Sequence, residues 1–348
     1  MDILKIIFPT ALTFFIGIAI TPFFTNYFYR YKMWKKSSRA AADTSSIFGQ
    51  IHNAEHELNT PRIGGVIIWV AVLFTVCIIY LLALFFPSDL TLKLDFFSRS
   101  QTLIPLAAFF FAAFVGLADD LFHIYGWGNL AHDALIYRKI KIALVTLIGI
   151  VISYWFYFKL DYTSVQLPFS GDLVLGIWFI PFFILVMLAT FSTSVIDGID
   201  GLAGGVLASV FTAFSVIAFI NNQVDISALS GAIAGAILSF LWFNVPPARF
   251  YMGETGMMSL TVVLAVIAFL TDSVLLLPVI ALPLVATTAS DIIQITCYKL
   301  FNKRRVFKIA PLHLNFLAHG WPREKVVMRY WIVSVISAIM GVILVLVS

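Results

Sequence analysis

Ten stretches of mostly apolar residues follow one another along the chain, near 4–29, 63–86, 102–118, 140–158, 174–190, 203–220, 227–243, 258–270, 274–298 and 330–347. Most are close to the roughly 20 residues that a helix needs to cross the hydrocarbon of a bilayer. The eighth is short, and the turn Thr271-Asp272-Ser273 that parts it from the ninth is tight. Inside a bilayer every backbone N–H and C=O must be satisfied within the protein, which leaves helices or closed barrels. Continuously apolar runs, as opposed to alternating ones, select helices. The expected fold is therefore all-α, a polytopic integral membrane protein of about ten transmembrane helices forming a single domain over residues 1–348. Composition agrees, with 61% of residues hydrophobic and 11% charged, against about 45–50% and about 25% in a soluble domain. That balance excludes a soluble globular enzyme, a nucleic-acid binder and a disordered chain. No small-residue cleavage site follows the first stretch, which reads as a retained span. Cys77 and Cys297, far apart in apolar runs, argue for neither a disulfide framework nor a metal cluster.

The segments between the spans alternate in side. Of the 22 Lys and Arg, 18 lie in segments 30–62, 119–141, 191–202, 244–257 and 299–329. Only Lys5, Lys93, Arg99 and Lys159 fall on the opposite side. The positive-inside rule puts those five loops in the cytoplasm and both termini outside, in a multi-pass protein of the cell membrane. The net charge of +4 is then a matter of topology and anionic lipid contact. It calls for no nucleic acid.

The same five loops hold the unusual chemistry, including all six histidines. Asp119-Asp120 closes the third span. Adjacent carboxylates repel unless a cation is near, and Mg²⁺ favours one or two carboxylates with phosphate oxygens and water. An ordinary polar stop to a span explains the pair equally well. Asp197-Gly198-Ile199-Asp200-Gly201 sets two Asp-Gly steps just before an apolar helix, whose free N–H groups favour an anion. A turn with an Asp N-cap is the plainer reading, yet two such steps beside membrane spans lean toward a site. Asn244 to Gly256 breaks a helix at Pro246-Pro247 and brings Tyr251 and Glu254 into irregular backbone, tolerated at this depth only where it lines protein or a cavity. Arg249 there, and Lys303, Arg304, Arg305 and Lys308 further on, read first as headgroup anchors. His313 taken alone is a surface histidine. Asp291, inside the ninth run, is a secondary candidate.

Taken together, these segments resemble the polyprenyl-phosphate N-acetylhexosamine-1-phosphate transferases. The resemblance is carried by Thr60-Pro61-Arg62-Ile63-Gly64-Gly65, Gly116-Leu117-Ala118-Asp119-Asp120, Asp197 to Ala203, Phe243-Asn244 through Met252-Gly253-Glu254-Thr255-Gly256, and the basic stretch Arg304 to Trp331. It runs from about residue 59 to the C-terminus. It implies that a polyprenyl phosphate attacks the β-phosphorus of a UDP-sugar with Mg²⁺ as cofactor, UMP leaving, at the cytoplasmic membrane face. By position, Asp119 or Asp120 would bind metal or activate the lipid phosphate, and Asp197 would support the site. Gly198, Ile199, Asp200, Asn244 and Tyr251 would lie along the nucleoside, with Ser194 where the family has an Asn. Glu254 stands in place of the family's metal-binding Asp, and His313 at the first of three consecutive histidines, the other two being Leu314 and Asn315. The family's Lys before Thr-Pro is Asn59, and its Lys soon after the Asp pair corresponds to His123. Arg62 is a candidate to restore the charge absent at Asn59. The partners implied are polyprenyl phosphate, a UDP-sugar and membrane lipid, with a homodimer an open option.

The stretch Arg304 to Trp331 favours a donor carrying N-acetylmuramoyl-pentapeptide, for cell-wall synthesis. The departures keep open another UDP-N-acetylhexosamine, or a relative that binds without turnover. A transporter is the rival of a different class. Transporters place polar groups near the midplane and often carry inverted repeats, whereas here the acids gather on one side and no repeat is visible.

Overall fold

The computed structural model describes residues 2–34, 59–126, 134–301 and 303–348, with the side chains of 134–137 left aside. Lys35, Lys36 and Arg39 of the basic count, and His52, His56 and His132, lie outside the described residues. In chain order the elements are α1 (Asp2–Arg30), α2 (Val66–Phe85), α3 (Asp89–Leu94), α4 (Leu103–Tyr125), α5 (Ala134–Lys159), β1 (Ser164–Leu167), β2 (Gly171–Val174) and α6 (Phe179–Ser192). There follow α7 (Leu202–Ile220), α8 (Val224–Asn244), α9 (Gly253–Leu270), α10 (Leu277–Ile280), α11 (Leu282–Leu300), α12 (Leu312–Ala318) and α13 (Arg323–Val347). Among the described residues nine helical segments are long and apolar enough to cross a membrane, and a bent pair makes a tenth span.

The chain wraps around α9, buried along almost its whole length. One side of α9 packs on α4, while α8 packs between α1 and α7, and α13 closes on α7. Hydroxyls are admitted to this apolar interior because they fold back on their own helix. Ser259 donates to the Thr255 carbonyl at 3.0 Å and Thr261 to that of Met257 at 2.7 Å. Thr13 and Thr75 join α1 to α2 through a 2.8 Å hydroxyl pair. The outer helices carry large exposed apolar side chains, Phe15 and Phe23 on α1, Phe85 on α2 and Leu346 on α13 among them. Their solvent is lipid.

The structure differs from the sequence reading in three respects. The ninth span, expected as one run, bends by 87° between Val274–Ile280 and Leu282–Leu300. Pro283 has no N–H for the Val279 carbonyl, and its ring crowds that carbonyl, so the helix breaks there. The helical fold also carries one short hairpin that the sequence reading did not expect. β1 and β2 form an antiparallel hairpin with Ser164 opposite Val174 and Leu167 opposite Gly171. Four-residue strands give too little alternation to be read against long apolar neighbours. Lastly, α4 continues to Tyr125 and α9 begins at Gly253. Asp119, Asp120 and Glu254 therefore lie within helix ends and not in loops, because their polar side chains face protein partners.

Two ends of the bundle result. At one, Lys5 pairs with Asp225 at 2.5 Å, and the Asn221 and Gln223 amides donate to the carbonyls of Thr271 and Leu270 at 3.0 and 2.7 Å. The hairpin packs there against Val274–Leu276. At the other end the five motif-bearing segments meet.

Candidate active site

The segment before α2 is docked by backbone pairing. Tyr251 N–H donates to the Pro61 carbonyl at 2.8 Å, and Gly64 N–H donates to the Tyr251 carbonyl at 2.9 Å. This pairing delivers Arg62 to the end of α4, its Nε 3.8 Å from Asp120 Oδ1. Asp120 is buried and accepts the N–H groups of Glu254 at 3.2 Å and Thr255 at 2.9 Å. These belong to the first turn of α9, where backbone donors have no partner within their own helix and the dipole favours an anion. Asp120 thus caps α9 from another helix. Gly253, at φ 70°, makes this approach feasible, since a Cβ there would lie 2.6 Å from Asp120 Oδ2.

Asp119 points elsewhere, because successive residues of an α-helix are about 100° apart. Its Oδ2 lies 3.8 Å from Lys141 Nζ and 3.9 Å from His123 Nδ1. Lys141, from α5, also reaches Glu254 Oε1 at 2.7 Å. The ammonium thus bridges carboxylates from α4 and α9. Asp197 completes the group, accepting the Gly253 N–H. Burial pushes the Asp197 carboxyl up to about 6; Arg62 and the Gly253 N–H pull it down, while Glu254 and Asp200 push it up. Burial works against the Arg62 cation, yet Asp120, Glu254, Asp197 and Asp119 together hold its guanidinium above its ordinary value. Among the described residues four carboxylates and two cations therefore share one half-buried end of the bundle.

The Asp-Gly loop is braced from three directions. Asn244 uses both halves of its amide, Oδ1 accepting from Gly201 N–H at 2.9 Å and Nδ2 donating to the Phe250 carbonyl at 2.8 Å. Asp200 Oδ2 accepts from Ala248 N–H at 3.1 Å. Trp331 on α13 donates from Nε1 to the Gly201 carbonyl at 3.1 Å. His313, buried on α12, packs over the loop so closely that a Cβ on Gly198 would lie 2.6 Å from its Nε2. Ser290 Oγ accepts the Leu312 N–H at 2.8 Å and ties α12 to α11. Ile199 is buried, whereas Ser194, Asp197 and Asp200 are half-buried and Gly198 faces outward. The basic stretch is partly folded in, with Lys325 and Arg329 stacked over Trp321 at 4.9 and 4.3 Å. Asp291 makes no ion pair or hydrogen bond with the cluster among the described residues.

Sequence reasoning missed Lys141. It was one cation in the run Arg138-Lys139-Ile140-Lys141, which reads as interfacial anchoring. Which of the three turns toward α9 depends on the phase of α5 against α4 and α9, a tertiary fact. Thr255 and Ser290 were missed as well, because a single hydroxyl or backbone N–H carries no sequence signal.

The group suits a hard divalent cation. Glu254 Oε2 is buried without a hydrogen-bond partner among the described residues, and the Asp119 and Glu254 carboxylates both reach Lys141. No three His, Cys, Asp or Glu side chains converge there among the described residues, so an ion would take two carboxylates and fill its shell from phosphate and water, as Mg²⁺ prefers.

Comparison with known proteins decides the family. Glycosyl transferase family 4 matches over residues 102–272, a segment holding Asp119, Asp120, Lys141, Asp197, Asn244 and Glu254. A phospho-N-acetylmuramoyl-pentapeptide-transferase of Caldanaerobacter subterraneus is 34% identical over 335 residues, 96% of both chains. The chain belongs to the phospho-N-acetylmuramoyl-pentapeptide-transferase family. A relative of that name from Desulforapulum autotrophicum is 33% identical over 81% of this chain and 79% of its own. One from Sulfurimonas denitrificans is 29% identical over 96% and 93%. Within this family the departures noted in the sequence now have places. Asn59 is exposed, while Arg62 stands among the acids. His123 lies against Asp119, and Lys141 brings an ammonium to the same carboxylate. Leu314 is buried, and Asn315 holds a buried Oδ1 with no hydrogen-bond partner among the described residues.

Proposed function

We propose that the chain transfers phospho-N-acetylmuramoyl-pentapeptide from its UDP carrier to polyprenyl phosphate at the cytoplasmic face of the cell membrane. The observation that carries this reading is the cluster of Arg62, Asp119, Asp120, Lys141, Asp197 and Glu254 at one end of a membrane bundle, in a chain whose relatives are named for that transfer. A phosphate oxygen of the lipid bonds to the β-phosphorus, the bond from that phosphorus to the bridging oxygen breaks, and UMP leaves. The reaction gathers the negative charge of a diphosphate and a phosphate in one place, so cations and positioning dominate it.

Arg62 and Lys141 supply positive charge toward the phosphates. Asp120, committed to the first turn of α9, holds the site together, which leaves Asp119 as the carboxylate that receives any proton the attacking phosphate brings. Asp119 and Glu254 would hold Mg²⁺, which when bound neutralises diphosphate charge. The uridine lies along Gly198, Ile199, Asp200 and Tyr251, with Ser194 beside them and Asn244 bracing the loop. His313 fixes that loop from behind. Orientation is supported by the charge partition, 18 Lys and Arg on the side of the cluster against four on the other. With an even number of spans, the same partition favours both termini outside.

The test is UMP release by the purified chain in detergent with undecaprenyl phosphate and Mg²⁺. UDP-N-acetylmuramoyl-pentapeptide and UDP-N-acetylglucosamine are offered separately, with Asp119→Asn alongside. Lipid-dependent release with the first donor, lost in the variant, is expected. Release only with the second would reassign the sugar. No release from folded protein with either would refute the transfer.

A further inference from the structure

Lys141 stands between the two carboxylates proposed above to hold a divalent ion. Its Nζ is 2.7 Å from Glu254 Oε1 and 3.8 Å from Asp119 Oδ2, the two carboxylates best placed to share an ion. An ammonium at that distance takes one lone pair of the oxygen that Mg²⁺ would approach to about 2.0–2.1 Å. Sharing Glu254 Oε1 would bring the two cations within about 5 Å of one another, where they repel. Glu254 Oε2, beside it, is buried without a hydrogen-bond partner among the described residues, so this carboxylate has coordinating capacity that Lys141 leaves unused. The formal charge points the same way. The carboxylates facing Arg62 are Asp119, Asp120, Asp197 and Glu254. Among the described residues the cations set against them are Arg62 and Lys141, so the carboxylates outnumber the cations.

We propose that Lys141 is a tethered counter-ion that competes with a divalent cation for Glu254. Displaced when the ion binds, it swings to the incoming diphosphate. The inference rests on the reading above that Asp119 and Glu254 are the cation's carboxylates. Lysine suits this exchange, because its compact ammonium rides on a flexible stem of four carbons, whereas arginine would hold both carboxylates in a rigid fork. Without substrate, Lys141 keeps the carboxylates from repelling one another and the first turn of α9 in register. With substrate, the ion takes over that duty and the ammonium becomes available to the phosphates. Arg62 stays with Asp120 throughout, since Asp120 is engaged by α9.

Mn²⁺ serves as the probe, its binding to the full-length chain in detergent followed by loss of the free-ion electron paramagnetic resonance signal, with no substrate present. Wild type, Lys141→Met, Glu254→Gln and the double variant are compared. Lys141→Met should bind Mn²⁺ at least tenfold more tightly than wild type while losing most of its turnover. The gain should vanish in the Glu254→Gln background, where adding Lys141→Met changes affinity less than twofold. Lys141→Gln, which keeps a donor without the charge, is the second variant should Lys141→Met fail to fold, and the same gain is expected. Equal or weaker Mn²⁺ binding in either variant would overturn the competition. So would a gain that persists without the Glu254 carboxylate, since that is charge acting at a distance. Absence of Mn²⁺ binding in both wild type and Lys141→Met would overturn the metal reading of Glu254 and Asp119 as well, an outcome distinct from the first two.

Discussion

Asp120→Asn separates a carboxylate that builds the site from one proposed to perform its chemistry. In the structure both Asp120 oxygens are committed, Oδ1 to Glu254 N–H at 3.2 Å and Oδ2 to Thr255 N–H at 2.9 Å, with Arg62 3.8 Å from Oδ1. Asparagine keeps one acceptor and turns an NH₂ group toward the other N–H. One buried donor of α9 is then unsatisfied, at about 1–3 kcal/mol, and the retained bond drops from charge-assisted to neutral, losing a further ~1 kcal/mol. Arg62 loses its partner, but at 31% side-chain exposure this adds no more than about 1 kcal/mol. The total is roughly 2–5 kcal/mol, large for a change of one atom. Thermal unfolding in detergent, followed by intrinsic tryptophan fluorescence, should show a clear fall in Tm for Asp120→Asn. Asp119→Asn, whose partners are the half-buried Lys141 and His123, should unfold within a degree or two of wild type although turnover is lost. An Asp120→Asn protein as stable as wild type would refute the capping role and return Asp120 to the list of chemical groups.

Other outcomes follow from the same contacts. Gly198→Ala places a Cβ 2.6 Å from the buried His313 Nε2, an overpacking cost of about 1–3 kcal/mol; a lowered Tm is expected, and adding His313→Ala should restore it, whereas no restoration would show that the clash lies elsewhere. Arg62→Ala should cut turnover strongly, and Asn59→Lys added to it should recover at least tenfold if the two positions supply the same charge; no recovery would sink that equivalence. At the opposite end of the bundle, burial, aided by Asp172, pushes the Asp272 carboxyl up to about 6. A raised carboxyl holds its proton more tightly in the native state, so its contribution to stability is lost as pH rises from about 4 through 6. Asp272→Asn should accordingly raise Tm relative to wild type clearly more at pH 7.5 than at pH 4.5, and since Asn accepts the φ of 51° at this position, an equal difference at both pH values would exclude the ionisation as the cause.

Much of the fold was readable because lipid leaves so few options. Long apolar runs in a bilayer are helices, and the ten runs became ten spans with ends displaced by a few residues. The displacement is informative. Asp119, Asp120 and Glu254 look like the start of loops when hydropathy is the only guide, since hydropathy marks where lipid contact ends and not where the helix ends. A helix continues into water as long as its polar groups find partners, and here those partners are Arg62, Lys141 and the α9 backbone. The bend at Ala281 was foreshadowed by Pro278 and Pro283, but apolarity alone ran through it. The hairpin β1–β2 left no trace, since four residues do not establish a period. In the site, residue types with charge or special backbone freedom stood out, among them Asp197, Gly198 and Glu254. Lys141 did not, because a basic residue at a span end has an ordinary explanation, and only the packing of α5 beside α4 and α9 selects it from Arg138 and Lys139.

The adjacency of Asp119 and Asp120 shows how the site is economically built. Two neighbouring carboxylates in a loop would face the same solvent and the same ligand, and their roles would merge. On a helix they diverge by about 100°, so the second can be buried against the first turn of α9 while the first meets Lys141 and His123. The cap formed by Asp120 fixes the start of α9, and with it the position of Glu254, the next residue after Gly253. Glu254 then meets Asp119 through the ammonium of Lys141. The distance between the Asp119 and Glu254 carboxylates is therefore set by Asp120. A shift of α4 along its axis would move both ends of that arrangement together, which is why a rigid helix end serves here where a flexible loop would let the two carboxylates drift apart as the diphosphate enters.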